Sequence, residues 1–122
     1  MELMLLPRPF VVCQLQSVPL LSPQNQHWFL SITPDEISLV CPANEVPKDT
    51  IVAENGWRAL KIAGVLDFAL IGILADISGI LAKQKISIFA VSTYNTDYVL
   101  LKEDKLLPAL DALQKQGYTI TR

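Results

Sequence analysis

One carboxylate in this chain stands where it can meet a charged ligand. Asp97 follows the tip of Ile86-Ser-Ile-Phe-Ala-Val-Ser-Thr-Tyr-Asn-Thr-Asp97-Tyr-Val-Leu-Leu101, two apolar strands around a polar turn. Beside it, Thr93, Tyr94, Asn95 and Thr96 supply hydroxyls and a carboxamide able to orient a bound molecule. Upstream, Asp67, Phe68, Leu70, Ile71 and Gly72 lie between an expected strand and an expected helix. Backbone N–H groups at a helix start lack intrahelical partners and attract anions. An acceptor for an ammonium and donors for a carboxylate are the two poles that a zwitterion requires.

Each of these residues also has a plainer reading. Asn95-Thr96-Asp97 is what a hairpin turn selects for its own backbone hydrogen bonds. Asp67 is placed to cap the helix or to favour the positive end of its dipole. Gly72 either removes a Cβ that would block a ligand or eases helix packing.

Catalysis finds little footing. The chain has one histidine, no nucleophile-elbow pattern, no phosphate-cradling glycine loop and no cluster of metal-type ligands. No catalytic residue, metal site or cofactor is therefore expected, and the chain is read as no enzyme. His27, beside Trp28, receives no role. Cys13 and Cys41 fall in separate strand-like runs without metal-ligand spacing and fit reduced, packed thiols.

Composition narrows the class further. A chain of 122 residues holds one ordinary domain or two very small ones. With 51% hydrophobic residues, 18% charged and a mean hydropathy of +0.35, some apolar surface is expected to face a partner. A net charge of −2 and a pI near 5.2 give no basic field for nucleic acid or an anionic membrane. Residues 1 to 56 carry two basic and six acidic groups, and residues 57 to 122 eight and six. The start, Met1-Glu2-Leu3-Met4-Leu5-Leu6-Pro7-Arg8, lacks the basic region and apolar length of a signal peptide. No run reaches membrane-spanning length. Cytoplasmic residence is expected.

The elements that must hold the candidate residues read as follows. Phe10–Leu15 is a short strand, and Ser17–Gln26, with two prolines, is a loop or single helical turn. Trp28–Thr33 and Glu36–Cys41 flank Pro34-Asp35 as a tight hairpin. Thr50–Glu54 adds an edge strand, and Asn55-Gly56 marks a boundary. Trp57–Ile62 is a strand and Gly64–Asp67 a loop. Ile73, Leu74, Ile77, Ile80 and Leu81 form one stripe of a helix running from Leu70 to Lys85. After the hairpin that bears Asp97, Asp104 is placed to cap a helix that turns Leu106, Leu107, Leu110 and Leu113 inward, with Pro108 in its first turn and Gly117 as its stop. Tyr118–Ile120 closes the order β-α-β-β-α-β, a ferredoxin-like unit. A faint repeat aligns Glu36–Val40 with Asp97–Leu101 at an offset of 61 and the first strands at about 47.

Gly56-Trp-Arg-Ala-Leu-Lys-Ile62, Leu66–Leu74 and Ile86–Tyr94 followed by Thr96-Asp97-Tyr98 resemble the ACT superfamily of amino-acid-sensing regulatory domains. The resemblance is closest to small tandem-ACT proteins and to the CASTOR family of arginine sensors, is strong from Trp57 to Ile120, and is fainter in residues 1 to 56. It implies an α+β protein of two ferredoxin-like, ACT-type units with antiparallel sheets and helices on one face, the first unit (residues 1–55) shortened and the second (56–122) complete. It also implies a regulatory protein that binds a free amino acid between the Asp67–Leu74 loop and the Thr93–Asp97 turn at an interface of units, with Asp97 receiving the amine. A homodimer is expected from the apolar excess and the edge strands, and a regulated protein partner goes with a sensor's role. CASTOR sensors have four ACT units in one chain and this chain at most two, so full assembly requires a dimer; the guanidinium-selecting pocket cannot be traced in these residues, so arginine itself is not implied. A scaffold used only for assembly, without a small ligand, is the rival reading.

Overall fold

The apolar patterns resolve into β1 (Glu2–Leu5), β2 (Phe10–Leu15), β3 (Phe29–Ile32), β4 (Ile37–Pro42), β5 (Thr50–Ile62), α1 (Ile73–Lys83), β6 (Phe89–Ser92), β7 (Asp97–Lys102), α2 (Leu106–Lys115) and β8 (Thr119–Thr121). A computed structural model describes residues 1–63 and 72–122, and it is an α+β protein. Its residues group into two units. One is Arg8–Trp57, and the other joins Met1–Pro7 to Arg58–Arg122.

Within Arg8–Trp57 the strand order is β3-β4-β2-β5, and every neighbouring pair is antiparallel. Alternation places Val11, Cys13 and Leu15 of β2 on the same face as Leu39 and Cys41 of β4, and these five are buried together. Trp28, Leu30, Ile37, Ala43 and Val46 pack against them. No α-helix occurs among the described residues of this unit; a 3₁₀ turn at Ala43–Glu45 follows β4. That turn presents Glu45, whose carboxylate accepts from Trp28 Nε1 at 2.7 Å, Arg8 Nη1 at 2.7 Å and Asn25 Nδ2 at 3.4 Å.

The second unit runs β5, α1, β6, β7, α2, β8 along the chain, and β7 pairs with both β5 and β6. The amino-terminal strand lies between β5 and β8. It is antiparallel to β5, with Leu3 opposite Ile62 and Leu5 opposite Leu60. It is parallel to β8, with Glu2 opposite Thr119. Leu3 and Leu5, Leu60 and Ile62, and Val99 and Leu101 are each two residues apart and so share one face. Ile77 and Leu81 of α1 and Leu106, Ala109, Leu110 and Leu113 of α2 cover that face in one buried cluster. Burying each leucine or isoleucine contributes about 1.5–3 kcal/mol. Tyr118 beside β8 donates to Asp76 Oδ2 at 2.5 Å, tying the sheet edge to the first turn of α1.

Four expectations change here. Met1–Pro7 groups with the second unit, not the first, because β1 takes its hydrogen bonds from β5 and β8. The expected break between strands at Asn55-Gly56 does not occur. β5 continues for 13 residues because Gly56, at φ 81°, adopts a conformation open to glycine inside a bulge, where the register moves from Phe10↔Trp57 to Val12↔Glu54. Asp104 does not cap α2; Glu103–Lys105 is a 3₁₀ turn and no side chain caps the helix. Leu107 is 74% exposed, since a position one residue past Leu106 lies about 100° around a helix; Ala109 and Ala112 are the residues that turn inward.

Candidate functional site

The tip between β6 and β7 is held by its own atoms. Thr93 N–H donates to Thr96 O at 2.8 Å, the Thr93 hydroxyl donates to the same oxygen at 3.0 Å, and Thr96 N–H donates back to Thr93 Oγ1 at 3.4 Å. Thr96 is 4% exposed, and its hydroxyl donates to the backbone oxygen of Ile62 at 2.7 Å. This bond fixes the tip beside the end of β5, next to Ala63. Both hydroxyl protons are therefore spent inside the protein. Tyr94, 87% exposed, and Asn95, also exposed, crown the turn.

Asp97 opens β7 directly opposite Ser92 of β6 and is half-buried. Gly72 starts α1 in the left-handed region at φ 86°, and no side chain caps the helix. The first helical bond is Asp76 N–H to Gly72 O at 2.8 Å, so the amides before Asp76 have no bond within the helix. A Cβ on Gly72 would meet nothing within 4 Å. Its positive φ by itself favours glycine at this position. Of the ten candidate residues, Asp67, Phe68, Leu70 and Ile71 lie outside the described residues, as does the start expected for the helix at Leu70.

The first unit repeats the same tip. Thr33 N–H donates to Glu36 O at 3.0 Å, the Thr33 hydroxyl to Glu36 O at 3.4 Å, and Glu36 N–H to Thr33 Oγ1 at 3.2 Å. Matching these bonds sets Thr33 on Thr93 and Glu36 on Thr96, a spacing of 60. The 3₁₀ turns at Ala43–Glu45 and Glu103–Lys105 keep that spacing. The offset of 61 read from the sequence is thus one residue out for these strands. It paired Glu36 with Asp97, whereas core-facing Leu39 and Cys41 match Val99 and Leu101.

The other reactive side chains are quiet. Burial pushes the Cys41 thiol up to about 12 and raises that of Cys13, disfavouring the nucleophilic thiolate. His27 stands edge-on to Phe10, ring centroids 6.2 Å apart. Among the described residues no group of three His, Cys, Asp or Glu is placed to hold a metal ion. No helix among them is long and apolar enough to cross a membrane. Glu45 is the polar centre that sequence reasoning missed; its partners lie 17 to 37 residues away and leave no local pattern.

Comparison with known proteins agrees with this geometry. A model of the ACT domain matches residues 52–115. The mouse protein "Cytosolic arginine sensor for mTORC1 subunit 1" is 36% identical over 87 residues, which cover 66% of this chain and 26% of that protein. The chain thus matches about a quarter of such relatives' length. The crystal structure of protein Atu0741 from Agrobacterium tumefaciens superposes with a TM-score of 0.87 at 26% identity, over 98% of this chain and 90% of that one. The aspartokinase α and β subunits share the fold, with a TM-score of 0.65 at 13% identity over 94% and 96% of the two chains. With its α+β architecture and a family match across more than half its length, the chain belongs to the ACT domain family.

Proposed function

We propose that this protein is a non-catalytic regulatory sensor that binds a free amino acid where ACT units meet. The observation that carries the reading is Asp97, half-buried at the start of β7 beside a tip anchored to Ile62. A carboxylate there receives the ligand ammonium in a charge-assisted bond, roughly twice as strong as a neutral one. The amides around Gly72 at the uncapped start of α1, with Asp67, Phe68, Leu70 and Ile71 before them, hold its carboxylate. Because Thr93 and Thr96 donate inward, their part is to shape the tip, and direct polar contact falls to Asp97, Asn95 and Tyr94.

The family relationship supports amino-acid sensing, and the arginine named for the relatives belongs to proteins nearly four times the matched length. The binding unit is a cytoplasmic homodimer whose interface the ligand biases, passing the signal to a regulated protein partner. Thermal melts across the twenty amino acids at millimolar concentration test this. Ligand at about a hundred times its Kd stabilises by about 2.7 kcal/mol, a shift of several degrees for a domain of this size. A selective shift abolished in Asp97→Ala is the expected outcome. No shift with any amino acid favours the rival, an assembly module without small ligand, for which the 96% exposure of Leu20 speaks as an apolar contact point.

A further inference from the structure

From Pro9 to Pro34 the chain carries no acidic or basic residue, although 18% of all its residues are charged. The middle of that run, Ser17–Gln26, connects β2 to β3 and is held at both ends. At one end Gln16 N–H donates to Asp49 O at 3.2 Å and the Ser17 hydroxyl to Asp49 Oδ2 at 2.7 Å. At the other, the Glu45 carboxylate accepts from Asn25 and Trp28. Between these ties Pro19 and Pro23 fix φ, and a turn closes on itself. Asn25 N–H donates to Ser22 O at 3.0 Å, and Ser22 N–H donates to Asn25 Oδ1 at 2.7 Å. The connection is an arch fastened to the Glu45–Asp49 segment that follows β4.

The crest of this arch is apolar. Leu20 is 96% exposed, the most of any large apolar side chain among the described residues, and Leu21 and Val18 are 64% and 54% exposed. Ile51 and Val52, just past the Asp49 tie, are also exposed and continue the apolar character. Because the arch is already fastened and proline-braced, covering these side chains orders little further chain, which is the condition for a preformed contact surface.

Charge selects what covers the crest. A dissimilar partner is steered and chosen by complementary charge, and Ser17–Gln26 offers none. The charged side chains of the first unit stand elsewhere, in Asp35, Glu36, Lys48, Asp49 and Glu54 and in the Arg8–Glu45 pair. Two copies meeting through those acids would set like charge against like. An uncharged crest meets its own copy without that cost, and a two-fold contact closes the assembly at two chains. We propose that the Val18–Leu21 crest is the face through which two copies of this chain meet. Leu20 and Leu21 of each copy pack against those of the other, and Ser22, Gln24 and Gln26 form the polar rim.

The test is sedimentation equilibrium of the full chain from low micromolar to submillimolar concentration. A reversible species of twice the chain mass of 13.5 kDa is expected. Leu20→Asp, at a position that packs against nothing in its own fold, raises the dimer dissociation constant by about thirtyfold or more while leaving the melting of the monomer unchanged. Leu107→Asp, at a 74% exposed leucine of α2, leaves the dimer intact. Because Cys13 and Cys41 are buried, mild oxidation of Leu20→Cys gives a disulfide-linked dimer, and the same treatment of Leu107→Cys gives none. A chain that stays monomeric throughout, a dimer that Leu20→Asp leaves unchanged, or one that Leu107→Asp weakens as much overturns the proposal. It rests on the sensor reading only in supplying the surface of the homodimer. A monomer still stabilised by an amino acid overturns this interface alone, and a dimer that no amino acid stabilises overturns the sensor alone.

Discussion

The Thr96 hydroxyl and the Ile62 backbone oxygen, 2.7 Å apart, join two segments 34 residues apart in sequence and fix where the candidate turn sits. Replacing Thr96 by valine keeps the shape and removes the donor. The expected loss is about 1–2 kcal/mol, measured as a lower urea midpoint with unchanged slope. Thr96→Ser, which retains the hydroxyl, loses less.

Gly72 sits at φ 86°, where a Cβ meets no neighbour but the backbone itself is disfavoured for other residues. Gly72→Ala is expected to cost about 1–2 kcal/mol from that conformation alone. Gly72→Asn costs less because asparagine tolerates the left-handed region. Equal melting temperatures for the two variants would show that something other than backbone conformation governs the position.

Acid should act on the first unit through Glu45. The Trp28 indole N–H, joined by the Arg8 and Asn25 side chains, outweighs partial burial and holds this carboxyl below its ordinary range. A group lowered on folding adds stability above its unfolded value, about 4.3, and loses it as pH falls through the folded value. Melts recorded from about pH 7 downward should show Glu45→Gln less stable at neutrality and less sensitive to the acid limb below about pH 4.3 than the parent chain.

Cys13 and Cys41, 3% and 0% exposed with raised thiol values, are expected to resist a thiol reagent in the folded protein and to react fully in denaturant. Fast labelling of either in the native state would place it in a more open environment than its burial between β2 and β4 allows.

Much of the architecture was legible because it is local. The Thr33–Glu36 and Thr93–Thr96 hairpins, the stripe of α1 and Gly117 as the stop of α2 each depend on residues within a turn or two of one another. Misreadings arose where one local signal competed with another. Asn55-Gly56 has the composition of a break between strands, yet in β5 the glycine makes a bulge, since strand pairing on both sides outweighs the turn preference. Leu107 looked internal because it is leucine, but helix phase and the inward alanines assign that space to others. Asp97 and its neighbours were legible as candidates by residue type and likeness to a family; that Thr93 and Thr96 spend their hydroxyl protons inside the protein was not.

The sequence by itself determined an acidic, apolar-rich α+β chain with a duplicated hairpin, a carboxylate at one tip and no recognisable catalytic constellation, because composition and periodicity are properties of neighbours along the chain. The tertiary structure alone decided that Glu2–Leu5 belongs with the end of the chain, that Thr96 faces Ile62 and that Glu45 gathers Arg8, Asn25 and Trp28. Those choices depend on which distant strand offers unpaired backbone groups and which buried polar atom lacks a partner, and both are settled only when the sheets assemble.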